Sequence, residues 1–517
     1  MQRKSILKDT IQLTVVQFFL EWVSLLLNVW LTHRIGSATV GIVALTGSFF
    51  QLAAVAVNGN GFLCTSRFVS EELGKPNGNP NRVLGYAIGF CLLLGIPVSA
   101  LIFCSAEPLS LRFLKSADLA AAVRIFTLIL PLGGVCSCLK GYLNAVCRVA
   151  DPAICDIVEC LSRCGVLMLL LQLQSVHTNA SVCMAMAYST GCSTILGFFC
   201  LLWFCWRSRL PRTGTCSLSF GRYIHAAIPV LFGGCLTAAL SSTNDALIPV
   251  TLRQAGNSTE LALSQFGTFE AIVIPVLFFP STILCALSGI LITEAARATA
   301  ANNQAHLQRL TKAVIQKTLQ LSIFIATGLL LYGNLIGTLL DGGALAGHLI
   351  RLLAPVVPFI YLEIVLEALL KGMGQQSFSS LNYLAEYTIR IAIVLVCIPK
   401  FGFYGIVLSY YASNVCGNCF RLWKPVKLLV FAFRSGVMSD FHCLQQHWHF
   451  KYHSVDCGCC MVCNLYGFAC CLLSSLIMLC SKVMGKSLRF PYSPKSSTFA
   501  LLPDYSMISA KVQPVTF

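Results

Sequence analysis

A chain of 517 residues that is 56% hydrophobic and only 11% charged, with a mean hydropathy of +0.76, excludes a soluble globular protein, whose charged fraction is nearer a quarter. The formal charge of +16 does not point to nucleic acid, because no basic, aromatic-laced soluble face accompanies it. What remains is a polytopic membrane protein.

The N-terminus, MQRKSILKDT, leads into an apolar stretch that is too long for a signal peptide and lacks a small-residue cleavage site. It reads as the first span. Windows of about twenty apolar residues predict spans at 11–31, 40–64, 83–104, 120–139, 153–173 and 183–206. The basic stretch RSRLPRTGTCSLSFGR follows, and six more spans are predicted at 224–251, 262–292, 314–340, 352–370, 381–399 and 402–423. The expected organisation is an N-terminal six-helix bundle (1–206), a cytoplasmic basic linker (207–223), a C-terminal six-helix bundle (224–430) and a terminal segment (431–517). That last segment holds His442, His447, His449 and His453 beside Cys457, Cys459, Cys460 and Cys463. The residue types suit zinc, but the spacing matches no defined finger. An apolar run at 459–480 is a candidate thirteenth span, and the remainder reads as a disordered tail. The other cysteines are scattered singly through apolar runs and read as small buried hydrophobes.

Lys and Arg concentrate at alternate connections: Arg3, Lys4 and Lys8; Arg67, Lys75 and Arg82; Arg148; Arg207 to Arg222; Arg297 to Lys317; Lys371; and Arg421 to Arg434. The opposite set holds only Arg34, Arg112, Lys115, Arg253 and Lys400. This asymmetry puts the N-terminus in the cytoplasm.

The two sets of six spans overlay. An offset of 220 sets Gly36 on Gly256 and Gly47-Ser48-Phe49 on Gly267-Thr268-Phe269. An offset of 227 sets Arg82 on Arg309, Pro131 on Pro358, and Glu159-x-x-x-Arg163 on Glu386-x-x-x-Arg390; Lys140 falls on Lys371 at 231. The predicted fold is therefore all-α, two six-helix bundles related by a pseudo-two-fold along the membrane normal, with a site between them near midplane.

Intramembrane charges are costly and mark function or pairing. Glu159/Arg163 and Glu386/Arg390 stand four apart on one helix face, as structural ion pairs or as arginines that grip a diphosphate. Glu21, Asp245 and Glu270 lack a sequence-adjacent partner and are candidates for exchanging H+ or Na+. Glu363 and Glu367 share a face of the tenth span, so at least one must meet a cation or a proton. Pro275 and Pro280 interrupt the eighth span and make it the candidate hinge. Seven interior acids against two arginines favour a cationic substrate. With no GxSxG, HExxH, Walker or Rossmann motif, the chain reads as a transporter rather than an enzyme.

Four stretches carry a resemblance: GFLCTSRFVSEELGK, PVLFFPSTIL, LLAPVVPFIYLEIVLEALLKGMGQQ and YLAEYTIRIAIVLVCIPKFGFYGIVLSYYASN. Over residues 5–430 the chain resembles the stage V sporulation protein B group. That group belongs to the multidrug/oligosaccharidyl-lipid/polysaccharide (MOP) exporter superfamily, alongside multidrug and toxic compound extrusion (MATE) transporters. The resemblance implies a V-shaped cavity with alternating access. It also implies flipping of a lipid-linked cell-wall or polysaccharide precursor across the cytoplasmic membrane by a monomer, with membrane lipid as its surroundings and no nucleic acid. Export of organic cations driven by H+ or Na+ is the alternative. Relatives usually carry arginines inside the first span; this chain has Glu21 there and only Arg34 at the outer end.

Overall fold

A computed structural model describes residues 2–73, 78–111, 117–146, 148–174, 178–208 and 218–423. The His/Cys-rich segment, the candidate thirteenth span and the tail lie outside these residues. Among the described residues there are twelve helical rods and no strand. We label them α1 (Gln2–Ile35), α2 (Ser37–Asn58 continued by Gly61–Leu73), α3 (Pro80–Cys104), α4 (Ala120–Ala145), α5 (Ala150–Leu173) and α6 (Asn179–Arg207). The second half holds α7 (Phe220–Gln254), α8 (Thr259–Thr268 through to Thr282–Ala300), α9 (Gln304–Leu339), α10 (Gly343–Leu353 continued by Val357–Gly372), α11 (Gln376–Phe401) and α12 (Tyr404–Trp423). Ten are long and apolar enough by themselves to cross a membrane. The two that fall short are α5, which carries Asp151, Asp156, Glu159 and Arg163, and α12.

Local sequence sets the starts. Asn79, Thr178, Ser219, Ser258 and Asn303 each accept a hydrogen bond from the backbone N–H three residues on, satisfying a donor that the helix itself leaves open. After Asn79 the first helical residue is Pro80, whose missing N–H costs nothing there. The rods run longer than the apolar windows because the helix continues past the lipid into polar residues: α1 extends to Ile35 and α9 spans Gln304–Leu339.

Each helix pairing in the first half has a twin in the second. α2 packs on α3 and α4, α4 on α3 and α6, and α5 on α6 and α1. Correspondingly α8 packs on α9 and α10, α10 on α9 and α12, and α11 on α12 and α7. The chain is thus two six-helix lobes about a pseudo-two-fold. The lobes meet chiefly through α1 with α8, α2 with α7, and α2 with α8.

That junction is tightest at the end holding the short turns after α1 and α7. Ser37 and Ser264 share a hydroxyl hydrogen bond of 2.6 Å. Gly41 and Gly267 cross so closely that a Cβ on Gly267 would lie 2.1 Å from the Ser37 carbonyl oxygen. Small residues allow this backbone approach, as in other packed membrane helices. One apolar core then runs across both lobes at this end, from Leu31, Val40, Val43 and Val182 to Ile248, Leu252 and Phe266. At the opposite, basic end the first lobe keeps a separate core of Phe68, Phe90, Leu139 and Tyr142, joined from the second lobe by Tyr223 and Ala227 at the start of α7.

Both junction helices are interrupted. In α2 the break is Gly59–Asn60, each with positive φ (56° and 53°), and the Asn60 side chain donates to the Val230 carbonyl of α7 at 2.9 Å. In α8 a π-turn covers Phe269–Val273 and a 3-10 turn covers Phe279–Ser281. The offset of 220 places Phe279 and Pro280 on Gly59 and Asn60, so the two helices lose their ladder at equivalent places, one at a proline and the other at a left-handed pair.

Candidate functional site

Three helices of the second lobe present polar residues at intervals of four, which puts each set on one face. Glu363 and Glu367 stand on α10, Asn382, Glu386 and Arg390 on α11, and Ser413, Gly417 and Arg421 on α12. The hub is Arg421, which is fully buried. Its Nη2 donates to Glu363 at 2.7 Å and to Glu386 at 3.0 Å, and its Nε donates to Glu367 at 3.4 Å. The guanidinium also lies 5.1 Å from the centre of the Tyr383 ring. Glu367 takes further hydrogen bonding from Ser379 and an ion pair with Lys371 at 3.4 Å. Gly417 makes room for all this: a Cβ there would sit 2.7 Å from a Glu386 oxygen and 2.9 Å from Arg421 Nη1.

The chain of charges continues through Arg390. Its Nη2 meets Glu386 at 3.4 Å, its Nε donates to Ser413 at 3.1 Å, and its guanidinium stacks 4.5 Å from the Tyr410 ring centre and 5.2 Å from that of Tyr387. Beyond it lie Asp245 and Glu270, both half-buried and within electrostatic reach of Arg390 and of each other. Asp245 accepts from Ser48 of α2 at 2.7 Å and from Asn244 at 3.3 Å, so it bridges the lobes. Glu270 sits inside the π-turn of α8, and its neighbour Phe269 packs edge-on against Tyr410 at 5.5 Å. The interrupted helix and the ionic chain therefore touch the same tyrosine. Nearby, Tyr361 of α10 donates to the Leu277 carbonyl at 3.1 Å, satisfying an acceptor just ahead of Pro280.

Charge bookkeeping is decisive here. Glu363, Glu367 and Glu386 are matched by Arg390, Arg421 and Lys371, whereas Asp245 and Glu270 bring two carboxylates with no ion-pair partner among the described residues. Unmatched carboxylates at membrane depth take up protons or small cations. No group of three or more metal-ligating side chains occurs among the described residues.

The first lobe differs. Lys140 of α4 pairs with Asp156 at 2.7 Å and with Glu159 at 3.0 Å. The expected Glu159–Arg163 pair is not formed: a lysine from the neighbouring helix reaches Glu159 instead, and Arg163, one turn on, is exposed. Glu21 is likewise exposed on α1, near Cys285 of α8, and stands apart from Asp245 and Glu270. The largest correction concerns Arg421. Its place beside Lys424 and Lys427 reads as a basic flank outside the membrane, yet the structure buries it among three glutamates. The Ser413, Gly417, Arg421 spacing was the available signal.

These features define a multi-pass helical membrane protein built as two lobes, with an acid-rich buried chain in the second. Residues 13–163 match the MatE family model. No curated protein matches the chain. Among solved structures, the fold is similar to the inward-facing conformation of a multidrug resistance MATE family transporter of the MOP superfamily, with a TM-score of 0.63 at 13% identity over 83% of this chain and 100% of that one. The outward-facing conformation of such a transporter aligns with a TM-score of 0.61 at 11% identity, over 83% and 97%. A MOP superfamily transporter from Pyrococcus furiosus, whose reverse binding-pocket polarity is taken to suggest a different function, aligns with a TM-score of 0.59 at 14% identity, over 82% and 95%. The chain has the MATE transporter fold.

Proposed function

We propose that the chain is an alternating-access transporter of the cytoplasmic membrane, with its N-terminus inside and with H+ or Na+ coupled through the second lobe. The observation that carries this reading is the connected chain from Asp245 and Glu270 through Arg390 and Glu386 to Arg421, with its two unmatched carboxylates at the lobe junction. The shared core and the Gly41–Gly267 crossing support a state sealed at the outer end. The cleft then opens at the basic, cytoplasmic end. Relatives of the same fold have been captured facing both ways. Entry of an ion at Asp245 or Glu270 changes the balance around Arg390 and Tyr410, which touch the interrupted α8; that helix is the proposed hinge, at Pro275 and Pro280.

For the substrate, the resemblance to the sporulation group supports a lipid-linked cell-wall or polysaccharide precursor. Arg163, exposed in the middle of α5, supports an anionic head-group contact, since an unpaired charge at that depth is tolerated only toward a water-filled cleft. Arg390, occupied by Glu386 and Tyr410, is the weaker partner for a diphosphate. The acid excess favours the second reading, efflux of an organic cation.

Purified protein in proteoliposomes, given an imposed H+ or Na+ gradient, should move either a fluorescent lipid-linked sugar or a cationic dye. Glu270→Gln and Asp245→Asn should each remove the gradient dependence. Movement of either probe at a rate indifferent to both gradients would overturn the coupling assignment. Arg163→Ala should abolish movement of the lipid-linked sugar and spare that of the dye.

A further inference from the structure

We propose that Cys155 and Cys200 form a redox-sensitive cross-link between α5 and α6. Their sulfurs lie 3.2 Å apart, closer than an ordinary van der Waals contact between thiols, on two helices packed along their lengths. Cys155 is fully buried, whereas Cys200 is only half-buried and is the more accessible of the two. Cys155 is the sixth residue of α5 and Cys200 stands seven residues before the end of α6, so the pair lies toward the end of the first lobe that carries Arg207. A thiol that is accessible, beside a second thiol poised to resolve it, is the arrangement redox-sensitive cysteines use.

The chemistry needs a two-electron thiol oxidant, such as an azodicarboxamide or a small-molecule disulfide. The Cys200 sulfur, as thiolate, attacks the oxidant and forms a covalent adduct. The Cys155 sulfur then displaces it, making the Cys155–Cys200 bond. Two electrons and the two thiol protons pass to the oxidant, which leaves as the hydrazine or as free thiols.

The bond would have a mechanical consequence. Cys155 precedes Asp156, which holds Lys140 of α4 at 2.7 Å. Fixing α5 to α6 at this point fixes the carboxylate side of the only described ion-pair network that ties α4 to α5, and so stiffens the first lobe beside the exposed Arg163. A second thiol pair supplies the contrast. Cys91 and Cys138 also interact, between α3 and α4, but both are buried and belong to the apolar core of Phe68, Phe90 and Tyr142. Proximity alone would oxidise both pairs; proximity with access oxidises one.

The test is direct on the full-length protein in native membranes. Treatment with diamide, followed by alkylation, digestion and mass spectrometry, should yield a cross-linked peptide joining Cys155 to Cys200, reversed by dithiothreitol, while Cys91 and Cys138 remain alkylatable after denaturation. The double variant Cys155→Ser/Cys200→Ser should lose that peptide, and also the rise in melting temperature that diamide gives the wild type. Absence of the 155–200 peptide from the wild type, or oxidation of Cys91–Cys138 at an equal or faster rate, would overturn the proposal.

Discussion

Arg421 carries the largest single electrostatic burden in the second lobe. Removing one partner of a buried ionic group leaves the others uncompensated, at a cost of about 3–5 kcal/mol. Arg421→Gln should therefore lower the melting temperature in detergent and abolish transport together; an unchanged melting temperature would mean that the three glutamates do not depend on it. Gly417→Ala tests the same cluster without altering charge, because its new methyl would sit 2.7 Å from Glu386 and 2.9 Å from Arg421. It should destabilise measurably, whereas the same change at Gly165, which has open space around it, should not. Tyr361→Phe should cost about 1–3 kcal/mol in thermal unfolding by leaving the buried Leu277 carbonyl without its donor. At this scale sequence was informative about residue types and less so about partners. Glu386 and Arg390 could be matched by their spacing of four, and they do meet. The identical spacing of Glu159 and Arg163 misleads, because the partner that wins, Lys140, comes from another helix, and cross-helix distance is not encoded in local spacing.

At the scale of the element, α8 and α2 are the parts whose irregularity has a purpose in the proposed mechanism. Both lose their helical ladder at positions related by the 220 offset, one by proline and a 3-10 turn, the other by two left-handed residues. Gly267→Val should wedge the α2–α8 crossing apart, since even its first carbon meets the Ser37 carbonyl. Protection of Ser264→Cys from a membrane-impermeant maleimide, applied from the end where α1 turns into α2, should be lost in that variant; retained protection would show that the crossing does not seal that end. The twelve spans themselves were legible, because lipid demands long uninterrupted apolar helices and leaves little else to decide. The charged α5 was placed by its apolar window, and its match to α11 in the overlay supported that placement, although by length and composition alone α5 falls short of a span. The π-turn at Phe269–Val273 was not readable from local sequence; the rings packed on Phe269 come from distant chain, Phe403 just ahead of α12 and Tyr410 within it.

At the scale of the whole molecule, the two lobes share a fold but divide their charge differently. The first lobe keeps a small network around Lys140 and leaves Arg163 exposed, while the second buries a longer chain with two carboxylates to spare. The overlay of halves made the symmetry visible from sequence. This inequality between equivalent positions emerged only with the packing. Alternating access is the claim on which the rest depends, and two distances report it: Arg67 to Arg297 across the basic end, and His33 to Asp341 across the opposite end, all four side chains being well exposed. Spin labels attached through introduced non-natural amino acids would avoid the many native cysteines. On addition of substrate under an ion gradient, the account predicts that the Arg67–Arg297 distance shortens while the His33–Asp341 distance lengthens; two distances that stay fixed, or that change in the same direction, would contradict it.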